Sequence, residues 1–255
     1  EDYGIIGDLH SVALVGTDGS IDWCCLPYFD SPSVFGAILD DKKGGYFKVY
    51  GVEEGIRRQL YHPDTNVLMT YFSSPDGVAL LEDFMPLDGM PNRKGRPHTP
   101  AIIRRISGVR GRVRMRVECF PAFDYARSPH SLVLGERGVV FESDSGERLG
   151  LSLPCGYEVT EGGIVAEIEL QAGESCCMSL GLMDPGAGLP SISDEDCQRL
   201  FEETISYWRR WLSRCTYKGR WREMVYRSVL TLKLLTFAPT GAFVAAPTCS
   251  LPETI

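Results

Sequence analysis

Val12-Ala13-Leu14-Val15-Gly16-Thr17-Asp18-Gly19-Ser20-Ile21-Asp22-Trp23-Cys24-Cys25 is the stretch that decides the fold. Two apolar, strand-forming runs, residues 12–15 and 21–25, flank Thr17-Asp18-Gly19-Ser20. Asp-Gly between such runs is a strong hairpin signal, because glycine reaches positive φ at little steric cost and the resulting turn matches the twist of paired strands. The stretch therefore reads as an antiparallel hairpin, not as one arm of a βαβ unit.

The pattern repeats on the C-terminal side. Residues 67–72 and 78–81 flank Ser73-Ser74-Pro75-Asp76-Gly77, and residues 102–106 and 113–119 flank Gly108-Val109-Arg110-Gly111, so each pair is expected to form a hairpin. Further strands are expected at residues 139–141, 149–153, 157–160, 164–170 and 176–183, with Glu161-Gly162-Gly163 as a turn. So many short runs need two packed antiparallel sheets to bury their apolar faces. After Pro190 the apolar period lengthens. Ser193-Asp194-Glu195-Asp196 supplies a helix cap with acids in the first turn, and Phe201, Ile205, Trp208 and Leu212 follow at helical spacing. A second helix places Trp221, Val225, Val229 and Leu232 on one stripe until Pro239 and Gly241 stop it. The expected organisation is a mainly β domain over residues 1–183, a Gly- and Pro-rich linker over 184–192, and a helical hairpin within 193–255, with helices at 193–215 and 220–237.

Of the 255 residues, 44% are hydrophobic and 24% charged, which suits a packed core. The net charge of −8 disfavours phosphate backbones and acidic membrane surfaces. Arg112, Arg114 and Arg116 alternate with Val113, Met115 and Val117, as on a strand with one solvated face, so a nucleic-acid partner is not expected. No apolar run reaches the roughly 18–20 residues that span a bilayer, and Glu1-Asp2-Tyr3-Gly4 has no signal-peptide character. The expectation is a soluble, cytoplasmic protein with no membrane partner. Neither the first residue nor Leu251-Pro252-Glu253-Thr254-Ile255 looks like a natural terminus, so both ends are expected to be trimmed. The nine cysteines form no C-x-x-C, which argues against zinc; Cys119 and Cys177 read as buried thiols in a reducing compartment. His10, His62, His98 and His130 have no metal-ligand spacing, and there is no G-x-S-x-G, G-x-G-x-x-G or P-loop, so no metal or cofactor is expected.

Two segments carry groups suited to sugars. Asp22-Trp23-Cys24-Cys25-Leu26-Pro27-Tyr28-Phe29-Asp30-Ser31-Pro32-Ser33-Val34-Phe35 combines aromatics, acids and hydroxyls, which stack on sugar rings and bond their hydroxyls. The same residues also read as a cap for a short helix at 34–39, and the two readings are compatible. Ala246-Pro247-Thr248-Cys249-Ser250-Leu251-Pro252-Glu253 reads either as a plain loop or as the rim of a polar pocket. Adjacent acids such as Glu53-Glu54 and Glu202-Glu203 point in different directions, so neither pair forms a glycosidase dyad.

At these residues the sequence resembles glycoside hydrolase family 15, the bacterial and archaeal glucoamylase and trehalase group. The resemblance runs through Tyr3-Gly4-Ile5-Ile6-Gly7-Asp8, Asp18-Gly19-Ser20-Ile21-Asp22-Trp23, Phe29-Asp30-Ser31-Pro32-Ser33-Val34-Phe35, Glu82-Asp83-Phe84-Met85-Pro86, Pro121-Ala122-Phe123-Asp124-Tyr125, and the stretch from Arg227-Ser228 to Ala245-Ala246-Pro247-Thr248. It covers almost the whole chain. It implies an N-terminal β-supersandwich followed by the first helices of an (α/α)6 barrel. It further implies an inverting, exo-acting hydrolase of α-glucosidic bonds, acting on a disaccharide or oligosaccharide. The family's two catalytic glutamates have no counterpart among residues 1–255, so no catalytic residue is assigned and this chain alone is expected to be inactive. By the same resemblance Asp30, Ser31 and Phe35 shape substrate access, and Thr248 and Ser250 sit at the barrel rim. Trp221, Val225 and Leu232 are left to meet the rest of a barrel or a second copy, which makes a homo-oligomer one expectation. The alternative from another class is a non-catalytic carbohydrate-binding or scaffold β-sandwich module.

Overall fold

A computed structural model describes residues 3–87 and 100–251; His98 and Glu253 lie outside them. The chain begins with β1 (Tyr3–Gly7), β2 (Val12–Gly16), β3 (Ser20–Cys25), β4 (Ser33–Phe35), β5 (Tyr46–Gly51), β6 (Ile56–Tyr61), β7 (Leu68–Ser73), β8 (Gly77–Phe84) and β9 (Ala101–Phe120). It continues through β10 (His130–Gly135), β11 (Gly138–Ser143), β12 (Arg148–Ser152), β13 (Glu158–Thr160), β14 (Gly163–Gln171) and β15 (Ser175–Leu182). Two helices follow, Asp194–Leu212 and Arg222–Leu234. The protein is mainly β, with a large antiparallel sheet and few helices.

The Asp-Gly hairpin forms as its sequence predicts: Val15 pairs with Ile21, and Gly19 turns at φ 84° with its Cα facing the Val49 carbonyl, where a Cβ has no room. The expected hairpin around Gly108-Val109-Arg110-Gly111 does not. Residues 101–120 form one continuous strand. Its first half pairs with β8 and β15, and its second half with β5 and β14. The two glycines sit at a register shift between Val78 and Ala79, and Gly111 takes φ 65° against the Asp76 carbonyl. An extra residue in one strand of a pair bends the strand without reversing it. A glycine-flanked apolar run therefore reads as a turn locally, while the cross-strand partners make it a bend.

That bend lets one strand serve two groups of strands around a single core. Val113, Met115, Val117 and Cys119 of β9 pack with Phe35 and Phe47 from one group and with Leu81, Leu149 and Leu180 from the other. On β14, Ile164, Ala166, Ile168 and Leu170 are buried while Glu167 and Glu169 are exposed, the period of 2 expected when one face meets water. The expected short helix at 34–39 is replaced by β4, which pairs Phe35 with Cys24 and buries Ser33, Val34 and Phe35. Its apolar side chains are worth more against the core than a two-turn helix is worth alone.

The first helix is capped by Ser193, whose Oγ accepts from the Asp196 amide at 3.0 Å. It buries Leu200, Ile205, Trp208 and Leu212. Phe201 packs edge-on to Phe84 and His62. Cys177 of β15 is joined by a disulfide to Cys197 of this helix, which corrects the reading of Cys177 as a thiol; Cys119 remains a buried thiol. The second helix packs mainly through positions beside the stripe read from the sequence, and part of that stripe stays open, as expected of residues left to meet further partners. Leu230 and Leu234 are buried, whereas Trp221 and Leu232 stay more than half exposed. Both faces carry apolar residues, so periodicity admits two stripes. Arg227 selects between them: its Nη1 donates to Thr65 O at 2.9 Å, its Nη2 bonds Asn66, and its guanidinium lies 3.8 Å over the Tyr61 ring. Asn66 in turn donates to Leu230 O at 3.2 Å.

Candidate functional site

The β1–β2 connection, the loop after β3 and the segment after the second helix meet on one surface. Asp8 organises the first. Its Oδ1 accepts from the His10 amide at 2.9 Å and the Ser11 amide at 2.8 Å, closing a turn in which Leu9 holds φ 70°. Ser11 Oγ then donates to Cys25 O, and the Phe29 amide donates to His10 O at 2.8 Å, so this turn anchors both ends of the 26–29 loop. The Ala238 amide donates to Leu9 O at 2.8 Å. Phe237 stands edge-on to His10 and Tyr28, each at 5.8 Å, and to Phe29 at 6.3 Å. Such T-shaped packing fixes ring directions as well as burying area.

The two sugar-suited segments are in contact. Trp23 Nε1 donates to Pro247 O at 2.8 Å, Cys25 Sγ lies 3.3 Å from Ser250 Oγ, and Cys249 Sγ donates to Phe29 O at 3.5 Å. Asp30 is exposed, and its charge acts on both Cys25 and Cys249. Ser31 closes the turn over Tyr28: its Oγ accepts from the Tyr28 amide and its own amide donates to Tyr28 O, each at 3.1 Å. Thr248 and Ser250 are half-buried. Phe35 stands apart from these four. It is fully buried against Phe47 at 6.4 Å, so it supports the loop from the core.

Burial pushes the Cys25 thiol up to about 11, with Ser250 pulling the other way, and burial also raises Cys24 and Cys249. These sulfurs stay protonated near neutral pH and are poor nucleophiles. Asp8 uses a carboxylate oxygen to hold backbone amides, and Asp124 pairs with Arg127 at 2.6 Å. The surface therefore offers hydroxyls, carbonyls, an exposed carboxylate and the half-exposed ring of Tyr28, which are binding groups for a neutral polar ligand. Among the described residues no group of three or more His, Cys, Asp or Glu side chains converges as a metal site, and no helix is long and apolar enough to cross a membrane.

One neighbouring element was not legible in the sequence. Asp124, Tyr125 and Ala126 are three successive non-glycine residues at φ 51°, 56° and 62°, a left-handed turn. L-residues pay roughly 1–2 kcal/mol each for this conformation. The turn persists because Phe123 is buried in the core, the Ala122 amide donates to Val34 O at 2.9 Å, and the Ser128 amide donates back to Phe123 O at 3.2 Å. From it Tyr125 OH donates to Ser250 O at 3.4 Å, and its ring packs 6.4 Å from Trp23.

Residues 1–173 match the family described as trehalase-like, N-terminal. The chain belongs to that family. Among relatives of this trehalase-like N-terminal chain, the trehalase of Thermoplasma acidophilum is 36% identical over 248 residues, covering 95% of this chain and 41% of that protein. The trehalase of Thermoplasma volcanium is 33% identical over 256 residues, with 99% and 40% covered. The trehalase of Mycobacterium tuberculosis is 31% identical over 276 residues, again with 99% and 40% covered. The trehalase-like chain thus spans about two fifths of the length of these curated relatives.

Proposed function

We propose that this chain is the N-terminal part of a trehalose-cleaving glycoside hydrolase of the family 15 type, inverting and exo-acting on α-glucosidic bonds. The observation that carries the reading is that similarity to trehalases runs across 95–99% of the chain, through the helical hairpin as well as residues 1–173. In this reading residues 1–183 are a β-supersandwich, 184–192 a linker, and 193–255 the start of an (α/α)6 barrel. Asp30, Ser31, Thr248 and Ser250 line the approach to a terminal glucose, with Phe35 holding β4 beneath them.

Inversion needs an acid and a base roughly 6.5–9.5 Å apart, so that water fits on the far face of the sugar. The described surface supplies the wall and the polar contacts for such a site, and the two carboxyls belong to the rest of the enzyme. Each missing acid or base term is typically worth about 10² to 10⁴ in rate, so residues 1–255 alone are expected to release no glucose. The test is glucose release from trehalose, maltose and starch by the full-length protein and by residues 1–255, with the anomer followed by proton NMR. Release from trehalose by the full-length protein, with the cleaved α-centre appearing as β-glucose, supports the reading. Binding of sugars without hydrolysis by the full-length protein overturns it in favour of a binding module, and retention of the α-anomer overturns the inverting mechanism.

A further inference from the structure

The left-handed turn bridges the two segments of the candidate rim. On one side Ala122, at its base, hydrogen-bonds β4, which continues from the loop bearing Asp30 and Ser31. On the other side Tyr125 reaches the carbonyl of Ser250. Three consecutive strained residues persist only where their surroundings over-determine them, and such strain clusters at ligand clamps and active sites. The ring has a further contact on its face: the Arg127 guanidinium lies 5.5 Å over the Tyr125 ring and is itself held by Asp124. Trp23 adds a second contact to the same segment through Pro247 O, so residues 247 and 250 are each gripped by an aromatic donor on the β part.

We propose that Tyr125, presented by this turn, is a positioning residue that fixes residues 248–251 against the 26–31 loop and thereby sets substrate affinity at the rim. The affinity half of the statement rests on the proposed hydrolase reading; the positioning half does not. Within the segment the Cys249 amide donates to Ala246 O at 3.2 Å and the Leu251 amide to Thr248 O at 3.0 Å, which gives two local reporters.

The experiment uses Tyr125→Phe and Tyr125→Ala in the full-length protein, read by hydrogen exchange and by trehalose kinetics. Tyr125→Phe keeps the ring and removes the O–H donor, so the Cys249 and Leu251 amides are expected to exchange about 2- to 10-fold faster, the factor that one neutral hydrogen bond supports. Tyr125→Ala is expected to exceed that, with β9 amides unchanged in both. KM for trehalose should rise by a similar factor while kcat changes by less than about twofold, the signature of lost uniform binding. Wild-type exchange at Cys249 and Leu251 in folded Tyr125→Phe protein overturns the positioning role. Faster exchange with an unchanged KM overturns the link to affinity. Should the full-length protein hydrolyse no α-glucoside, the functional reading falls and the exchange result still decides the positioning role. Should Tyr125→Ala fail to fold, the Phe variant carries both readouts.

Discussion

Arg104 and Arg114 stand on the same strand, β9, and the two halves of that strand treat them in opposite ways. Arg104 is fully buried. Its Nε and Nη2 meet the Asp83 carboxylate at 2.8 and 3.2 Å, and Nη1 and Nη2 donate to Phe47 O and Gly19 O at 2.6 Å each. The guanidinium also lies 4.7 Å from the centre of the Phe47 ring. It joins β8 and β9 to β5 and the first hairpin turn, across the core. Arg112, Arg114 and Arg116 instead form a ladder on the solvated face, paired with Glu169, Glu53, Glu118 and Glu167. The ladder gives each of these three arginines a carboxylate partner. A buried, fully bonded ion pair fixes geometry, while exposed pairs are screened and add little.

The largest effect should come from breaking the buried pair on one side. Arg104→Met leaves the Asp83 carboxyl unpaired in the core, where burial already raises it, and the loss is expected to be about 3–5 kcal/mol by urea denaturation. A loss below about 1 kcal/mol would mean that water reaches Asp83 and that the two halves of β9 differ less than their burial indicates.

The double change Arg104→Met with Asp83→Leu sharpens the point. Removing both charges removes the desolvation penalty with them, so the double variant is expected to recover most of the single variant's loss, leaving a strongly non-additive cycle. Additive losses would assign the stability to packing and not to the pair.

Acid should act through the solvated half. Burial pushes the Glu118 carboxyl up, but hydrogen bonds from Arg116, Tyr50 and Tyr46 outweigh it and hold the group below its ordinary value. A depressed folded value means the unfolded chain binds the proton first, so this contribution is present above the unfolded value of about 4.3 and is lost as pH falls through the folded one. Denaturation midpoints measured from pH 6 to 3 should therefore fall, and Glu118→Gln should flatten that fall. An unchanged slope in the variant would place the acid sensitivity elsewhere.

The smallest effect is expected on the ladder itself. Arg116→Ala should cost under about 1 kcal/mol and shrink further in high salt, and Arg112→Ala and Arg114→Ala should leave the midpoint where it was. A salt-insensitive loss at Arg116 would point to packing of its alkyl stem.

The same contrast explains what could be read before the fold was known. Alternation identified the solvated face at Arg112, Arg114 and Arg116, because period 2 is a property of the strand itself. It could not separate Arg104 from them, since the partners that permit its burial, Asp83, Phe47 and Gly19, come from three other parts of the chain. The candidate rim divides the same way. Asp30, Ser31, Thr248 and Ser250 lie in segments whose chemistry suits sugars and are singled out by the family resemblance, whereas nothing in the sequence marks His10 and Phe237, or the contacts of Trp23 and Tyr125, as what holds those segments together.

Local chemistry alone determined the Asp-Gly hairpin, the antiparallel β character, the change of period after Pro190 and the Ser193 cap. Each depends on residues within a turn or two of one another. Tertiary structure decided the rest: that Gly108 and Gly111 bend β9 instead of reversing it, that residues 33–35 pair as a strand, that the second helix buries Leu230 and Leu234, that Cys177 meets Cys197, and that Asp124, Tyr125 and Ala126 wind left-handed. In every one of these cases local preference was either balanced between two outcomes or opposed to the one observed. The free energy that settled it comes from partners distant in sequence, whose positions exist only once the core has formed.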